Sequence, residues 1–323
     1  MCTAVTYRTK DHFFGRNLDF EHPYRTTVTV TPRNFQFHFR RLADQEQHYA
    51  MIGMAMVEDS YPLYFDATNE YGLSMAGLNF PGNAAYHAEQ EGKHNIAPFE
   101  LIPWLLGQCR SIEEAKALLV NTNIWDSPFS TQYPNSPLHW ILADKNTSLT
   151  LESMKDGLHI HENPVGVLTN NPPFDFHMHN LANYLNVTSA DVTSRFAKDF
   201  DLIPYSRGMG GIGLPGDLSS ASRFVRAAFT KLNSVSRDSE AASISQFFHI
   251  LNSVAQTQGC AMVGTLYERT LYSSCCNTTK GIYYYTTYEN SQITGVKMAS
   301  EDLDSSILVN YPLRKDQRIT MEN

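Results

Sequence analysis

The sequence predicts an α+β fold in which two sheets are flanked by layers of helices. Two observations predict it. Stretches that read as strands come in blocks, and so do stretches that read as helices, where a parallel α/β fold would alternate them one by one. No Ser/Gly/Pro-rich linker divides the 323 residues and no internal repeat is visible, so 1–323 is expected to form a single domain.

The elements follow in order. "MCTAVTYRTKDHFFGRNLDF" reads as two strands joined by a hairpin around "TKDH". "TTVTVT", "YAMIGMAMV" and "LSMAGLNF" are β-rich or apolar runs of strand length, and "FQFHFR" alternates with Phe35, Phe37 and Phe39 on one face. "APFELIPWLLGQC" carries a helical apolar pattern that Pro103 is expected to interrupt. "SIEEAKALLVNT" opens on Ser111 with Glu114 three residues later, a capping box. Strands return at "LHWILAD", "SLTLESM" and "GLHIHEN". Helices follow at "DFHMHNLANYL", "SSASRFVRAAFTKL" and "EAASISQFFHILNSVAQ", the last with Ile244, Phe247, Phe248 and Leu251 on one face. "ERTLYSSCCN" and "GIYYYTTYEN" close the chain as a strand pair.

Composition excludes several functions. The net charge of -8 and the absence of any Lys/Arg run argue against nucleic acid, whose affinity comes mainly from cations against phosphates. No window reaches the roughly 18 apolar residues of a membrane span. The N-terminus lacks a basic segment followed by a long apolar one, so a cytoplasmic location is expected. The five cysteines, Cys2, Cys109, Cys260, Cys275 and Cys276, form no C-x-x-C pair and read as free thiols. The sequons at Asn146, Asn186 and Asn277 are then chance matches. His159 with His161, and His177 with His179, lack a third ligand, so no metal is expected, and no other cofactor is implied.

Cys2 is a candidate nucleophile, although small residues are common at position two. Removal of Met1 would leave one residue holding both a thiol and a free α-amine. An α-amine titrates near about 7.7–8.0 and a thiol near about 8.5, so the amine can act as base for its own thiol. Nearby "FFGRNLDF" supplies Arg16, a cation able to stabilise a thiolate, and Asp19, a carboxylate able to hold an ammonium. Asn170 and Asn171 in "TNNP" and Asn79 in "AGLNFPG" are amide donors at strand ends, suited to an oxyanion. Gly208, Gly210 and Gly213 satisfy G-x-G-x-x-G, but Pro215 and Gly216 delay the following helix and position 233 is Asn, so a dinucleotide site is rejected in favour of a loop near a ligand. Arg207 in that loop is a candidate ligand contact, and Arg223 lies in the first turns of the helix that follows.

Together these residues resemble the choloylglycine hydrolase family of bile salt hydrolases and penicillin V acylases. The resemblance runs through "MCTA", "FGRNLD", "AGLNFPG", "SPLHW", "GVLTNNPPFD", "GLPGDLSSASRF", "FFHILNSVA" and "KGIYYYTTYEN" in order. It implies a four-layer αββα N-terminal nucleophile hydrolase fold, with two antiparallel sheets between helix layers. It implies that Cys2 attacks an amide carbonyl, with Arg16 beside the thiolate and Asp19 positioning the α-amine. Asn79 and Asn170 then line the oxyanion site and Arg223 supports the transition state. Asparagine at position 79 is the bile salt hydrolase choice. Matching segments imply an apolar substrate lining of Leu18, Phe20, Tyr24, Phe129, Tyr133 and Leu138, with Arg207 toward the glycine or taurine end and favouring taurine. The family further implies a homotetramer. A penicillin V acylase using the same machinery and a non-catalytic bile-acid binding protein are the rival readings.

Overall fold

The computed structural model describes residues 1–323. In chain order the first strands are β1 (Cys2–Arg8), β2 (His12–Phe20), β3 (Thr26–Thr31), β4 (Met51–Glu58), β5 (Tyr61–Asn69), β6 (Ser74–Asn79) and β7 (His94–Ile96). Helices α1 (Leu101–Gln108) and α2 (Ile112–Leu119) lead to β8 (Thr122–Ile124), β9 (Leu138–Ala143), β10 (Ser148–Met154), β11 (Gly157–Glu162) and β12 (Val167–Leu168). Helices α3 (Phe174–Asn180), α4 (Ser220–Asn233) and α5 (Glu240–Asn252) follow. The chain closes through β13 (Met262–Val263), β14 (Leu266–Tyr267), β15 (Arg269–Asn277), β16 (Ile282–Thr287), β17 (Thr294–Lys297) and β18 (Val309–Pro312).

Two antiparallel sheets result. The first runs β12-β1-β2-β15-β16-β17 and the second β11-β10-β9-β6-β5-β4-β3-β18. They stack face to face, with α4 and α5 on the outer face of the first and α1 on that of the second. This is the αββα arrangement. Apolar side chains of both faces of the first sheet, of the inner face of the second and of α4 and α5, among them Val5, Phe14, Ile52, Ala76, Phe224 and Phe247, form one core; a second core lies between the second sheet and α1 and α2. Covered on both faces, β2 is buried almost throughout, which explains why "HFFGRNLDF" does not alternate cleanly. Cys275 and Cys276 point to opposite faces of β15 and are both buried, with burial pushing both thiols up.

Three local expectations changed. "FQFHFR" forms no strand: Phe37 makes a single bridge to Gln45, and the three phenylalanines instead build an aromatic cluster, with Phe35 5.0 Å and Phe39 5.9 Å from the Phe37 ring. Phe37 and Phe39 are buried against Tyr61 and the α1 core, so burial without a partner strand produced the alternation. Pro103 does not interrupt α1 but sits in its first turn, where a backbone N–H has no intrahelical acceptor. Ser111 does cap α2, accepting from the Glu114 N–H at 3.3 Å, while the Glu114 carboxylate reaches one residue further back, to the Arg110 N–H at 2.7 Å. The G-x-G-x-x-G segment forms a short 3₁₀ turn over Met209–Gly211, and α4 begins only at Ser220, so no glycine-rich turn opens a helix.

Candidate active site

The β1–β2 hairpin sets the site. Its register pairs Cys2 with Leu18 and Ala4 with Arg16, so Cys2, Arg16 and Leu18 share the face turned toward the second sheet. Thr3, Asn17 and Asp19 take the opposite face, toward α4 and α5: Asn17 donates to the Leu251 carbonyl at 2.9 Å and the Thr3 hydroxyl accepts from Arg223 at 2.7 Å. Gly15 keeps β2 and β15 close, since a Cβ there would lie 1.9 Å from the Ser274 carbonyl oxygen.

Arg16 Nη2 donates to Cys2 Sγ at 2.7 Å, with Cys2 4% and Arg16 0% exposed. The other end of the guanidinium fills a gap in the second sheet. A bulge in β5 pairs Met54 with Asp66 and Ala55 with Tyr64, leaving Phe65 unpaired, and the β5–β6 ladder stops at Asp66–Ala76. The Phe65 and Gly77 carbonyls are thereby freed, and both accept from Arg16 Nη1. Burial would lower the Arg16 pKa, but its electrostatic interactions with Cys2, Tyr272, Asp66 and Asp19 outweigh it and hold the cation above its ordinary value. Asp66 is the anchor that sequence reading missed. Buried, its carboxyl is pushed upward by desolvation and accepts from the Tyr272 and Tyr283 hydroxyls at 2.9 and 2.6 Å. An aspartate at a buried position of the strand "YPLYFDATN" was the available signal.

Asn170 and Arg223 come together at Cys2. The Cys2 N–H donates to Asn170 Oδ1 at 2.8 Å, and Asn170 Nδ2 donates to the Asn79 carbonyl at 2.7 Å. Arg223 Nη2 donates to the same Asn170 Oδ1 at 2.7 Å, and its Nη1 donates to the Cys2 carbonyl and to Thr3. Arg223 therefore clamps the nucleophile's backbone and the asparagine without touching Sγ. Asn79 contributes its carbonyl at the end of β6, and its side chain makes no hydrogen bond within the protein.

A buried clamp, also missed, fixes the turn carrying Asn170. His177 Nε2–H donates to the Asn170 carbonyl at 2.9 Å, and the ring stacks on Phe224 with 4.6 Å between centroids. His139 Nε2 bonds the Thr169 carbonyl at 3.0 Å, and its Nδ1 bonds Glu152 Oε1 at 3.1 Å. Glu152 also accepts from the Phe174 N–H at 3.0 Å. All three side chains are fully buried. Desolvation pulls His177 down to about 4, so it is neutral at pH values above that.

Met1 is present in this structure, and it carries the α-ammonium. That group bonds the Asp19 carbonyl at 2.8 Å and the buried Glu268 carboxylate, while the Asp19 N–H bonds the Met1 carbonyl at 2.9 Å. Desolvation lowers the pKa of the ammonium. Asp19 Oδ1 accepts from Thr270 at 2.6 Å, whereas its Oδ2 is buried without a partner. Desolvation raises the Asp19 carboxyl against the opposing pull of Arg223 and the α-ammonium.

A cavity of about 420 Å³ opens beside this cluster. Tyr24, Phe129, Tyr133 and Leu138 line it, joined by Phe65 and Trp140. Cys2 does not line it; Arg16 makes the connection, touching Sγ at one end and the cavity residues Phe65 and Gly77 at the other. The volume and the predominantly apolar lining suit a ligand with a large hydrocarbon body. Two expected lining residues lie behind it. Phe20 stacks on Tyr24 with 5.1 Å between centroids, and Leu18 faces a small crevice on the far side of Tyr24. Arg207 is exposed in the loop before Gly208 and makes no hydrogen bond or ion pair, so the structure does not bring it to the cluster. No group of three His, Cys, Asp or Glu is arranged to hold a metal ion.

Comparison with known proteins gives a consistent picture. Residues 2–311 match the family model described as linear amide C–N hydrolases, choloylglycine hydrolase family. A bile salt hydrolase/transferase of Lactiplantibacillus plantarum is 54% identical over 98% of this chain and 98% of that protein. One from Clostridium perfringens is 40% identical over the full length of both. The crystal structure of a variant conjugated bile acid hydrolase from Clostridium perfringens superposes with a TM-score of 0.93 at 38% identity, covering 100% of both chains. A penicillin V acylase from Agrobacterium tumefaciens has a TM-score of 0.76 at 18% identity, over 96% of this chain and 90% of that one, a likeness of fold alone.

Proposed function

The chain belongs to the choloylglycine hydrolase family of linear amide C–N hydrolases, and from that premise we propose how its residues hydrolyse the amide of a conjugated bile salt. The enzyme is a bile salt hydrolase with Cys2 as nucleophile. The observation that carries this reading is the Arg16–Cys2 contact at the side of an apolar cavity.

In the proposed reaction, loss of Met1 makes the Cys2 nitrogen the α-amine. The buried, unpartnered Asp19 Oδ2 is the carboxylate that would hold the ammonium formed once this amine has taken the thiol proton. The amine takes the thiol proton, and Arg16 stabilises the thiolate. Sγ attacks the substrate carbonyl, and the oxyanion accepts hydrogen bonds from the remaining Asn170 Nδ2–H and from Asn79 Nδ2. The ammonium returns its proton to the departing glycine or taurine nitrogen, leaving a thioester. Water activated by the amine then releases the bile acid. Arg223 keeps the Cys2 carbonyl and Asn170 Oδ1 in place throughout. Tyr24, Phe129, Tyr133 and Leu138 hold the steroid, with Phe20 and Leu18 bracing Tyr24. No metal or cofactor takes part in these steps.

The family resemblance supports three further parts of the proposal: a single domain over 1–323, a homotetramer, and a cytoplasmic location, to which the five free cysteines also conform. No helix is long and apolar enough to cross a membrane.

The test pairs intact mass with activity. Enzyme lacking Met1 should hydrolyse conjugated bile salts, and a variant with an uncleavable residue before Cys2 should be inactive. Equal activity of both would overturn the N-terminal mechanism. Assaying penicillin V beside the bile salts separates the substrate branches.

A further inference from the structure

The far end of β1 borders a second cavity, of about 380 Å³. Arg8 lies six residues beyond Cys2 on the same strand, which places this cavity on the order of 20 Å from the nucleophile. Its character is the reverse of the aromatic one. Thr6, Arg8, His12, Asp144, Lys145 and Lys231 are among its lining residues, and few of the remainder are apolar.

The charges at this cavity do not cancel. Arg8, Lys145 and Lys231 are absent from the ion pairs of the protein, although the protein as a whole carries a net charge of -8. Asp144 is the one lining carboxylate, and both of its oxygens are engaged elsewhere. Oδ1 accepts from the Asn146 and Thr147 N–H groups at 2.8 and 3.1 Å, and Oδ2 accepts from the Ile112 N–H at the start of α2 at 3.0 Å. Lys231 donates to the Val165 carbonyl, which uses one of its three N–H groups. Arg8 makes one hydrogen bond, from Nη1 to the Lys145 carbonyl at 3.2 Å, leaving most of its fork free. His12 is buried, bonds Thr278 at 2.8 Å through Nδ1, and is held near about 4 by desolvation, so it adds no charge at neutral pH. Desolvation also lowers Lys231 to about 8, as expected of a sheltered ammonium without a carboxylate partner. Lys231 lies in the last turn of α4, whose dipole accounts for its charge sign but leaves its other donors unpaired.

We infer that this cavity binds a small oxyanion of the phosphate class, held by the free donors of Arg8 and Lys231. A compact dianion matches two cations that approach from different elements, β1 and α4, and would join the strand bearing the nucleophile to the helix bearing Arg223.

The probe is inorganic phosphate, added at constant ionic strength against sodium chloride and followed by calorimetry and by Tm. Saturable binding and a Tm rise beyond that of chloride are expected. Lys231→Met and Arg8→Gln should each weaken binding about tenfold or more, the loss of a charge-assisted contact, with kcat on a conjugated bile salt unchanged. Sodium acetate serves as the carboxylate arm and should bind more weakly than phosphate; equal binding would overturn the phosphate assignment. A phosphate response no larger than that of chloride, or one that survives both substitutions, would overturn the site. Arg8 lies at an exposed strand end, so its variant remains informative even where loss of Lys231 perturbs folding.

Discussion

Arg16 touches the sulfur of Cys2 at 2.7 Å with one nitrogen of its guanidinium, while the other closes the gap left by the β5 bulge. A single side chain thus links nucleophile, cavity wall and sheet. Arg16→Met is expected to lower kcat by about 10²–10³, the usual scale for removing a preorganised electrostatic contact. Alkylation of Cys2 by iodoacetamide should slow as well. A normal alkylation rate in a folded variant would separate Arg16 from the thiolate.

Arg223 holds four acceptors at once, the Leu218 and Cys2 carbonyls, Thr3 and Asn170, and lysine has the charge without the fork. Arg223→Lys should reduce kcat by about 10–100-fold while KM stays within about twofold, because the residue acts on Cys2 and Asn170 and not on bound steroid. Steady-state kinetics on one conjugated bile salt decide the matter; a change confined to KM would contradict the assignment.

His177 ties acid stability to the Asn170 turn. Desolvation brings its folded value to about 4, below the 6.5 of an unperturbed imidazole. Between those values the unfolded chain binds more protons, so the stabilisation is complete above about 6.5 and is lost as pH falls toward about 4. For this one group the change amounts to at most about 3 kcal/mol. Asp19 and Asp66, raised by burial, act in the opposite direction, but equally in a variant that keeps them. Urea denaturation of His177→Phe should therefore show a shallower decline over that window than the parent, and parallel curves would refute the assignment.

Phe129 contributes to the cavity wall through its ring, packed 5.3 Å from Phe99 and 5.8 Å from Tyr61. Phe129→Ala should raise KM for conjugated bile salts about tenfold, matching the loss of part of a buried aromatic contact, with a smaller effect on kcat.

Arg207 stands apart from the cluster and is tested by selectivity. On the proposed reading, Arg207→Ala lowers the ratio of kcat/KM for taurine over glycine conjugates. An unchanged ratio would remove Arg207 from conjugate recognition.

The candidate cluster around Cys2 was legible because its chemistry is tied to residue type. A cysteine behind Met1, an arginine and aspartate on the paired strand, and asparagines at strand ends can be seen without coordinates. The block order of strands and helices carried the layering for the same reason. What stayed hidden depended on registry and on long-range burial. Asp66 matters because two bulges and a two-tyrosine cage place it behind Arg16, and His139, Glu152 and His177 matter because the chain brings β9, β10 and α3 beneath one turn. "FQFHFR" misled because alternation reports burial on one side, not the presence of a neighbouring strand. Leu18 and Phe20 fall outside the lining of the large cavity, because adjacency along β2 says nothing of which side of Tyr24 a side chain occupies.

The position of β1 between β2 and β12 also sets a timetable. Its hairpin partner is made at once, but Val167 and Leu168, which pair with Val5 and Ala4, emerge only after most of the first half of the protein has been synthesised. At about 5–20 residues per second that interval is on the order of 10–30 s. Throughout it β1 is an edge strand; afterwards Ala4 and Val5 are interior and Met1 is half-buried with its ammonium on Glu268. The trimming of Met1 that the proposed chemistry requires competes with translation, so expression that outruns the aminopeptidase should accumulate folded, inactive protein one methionine too heavy.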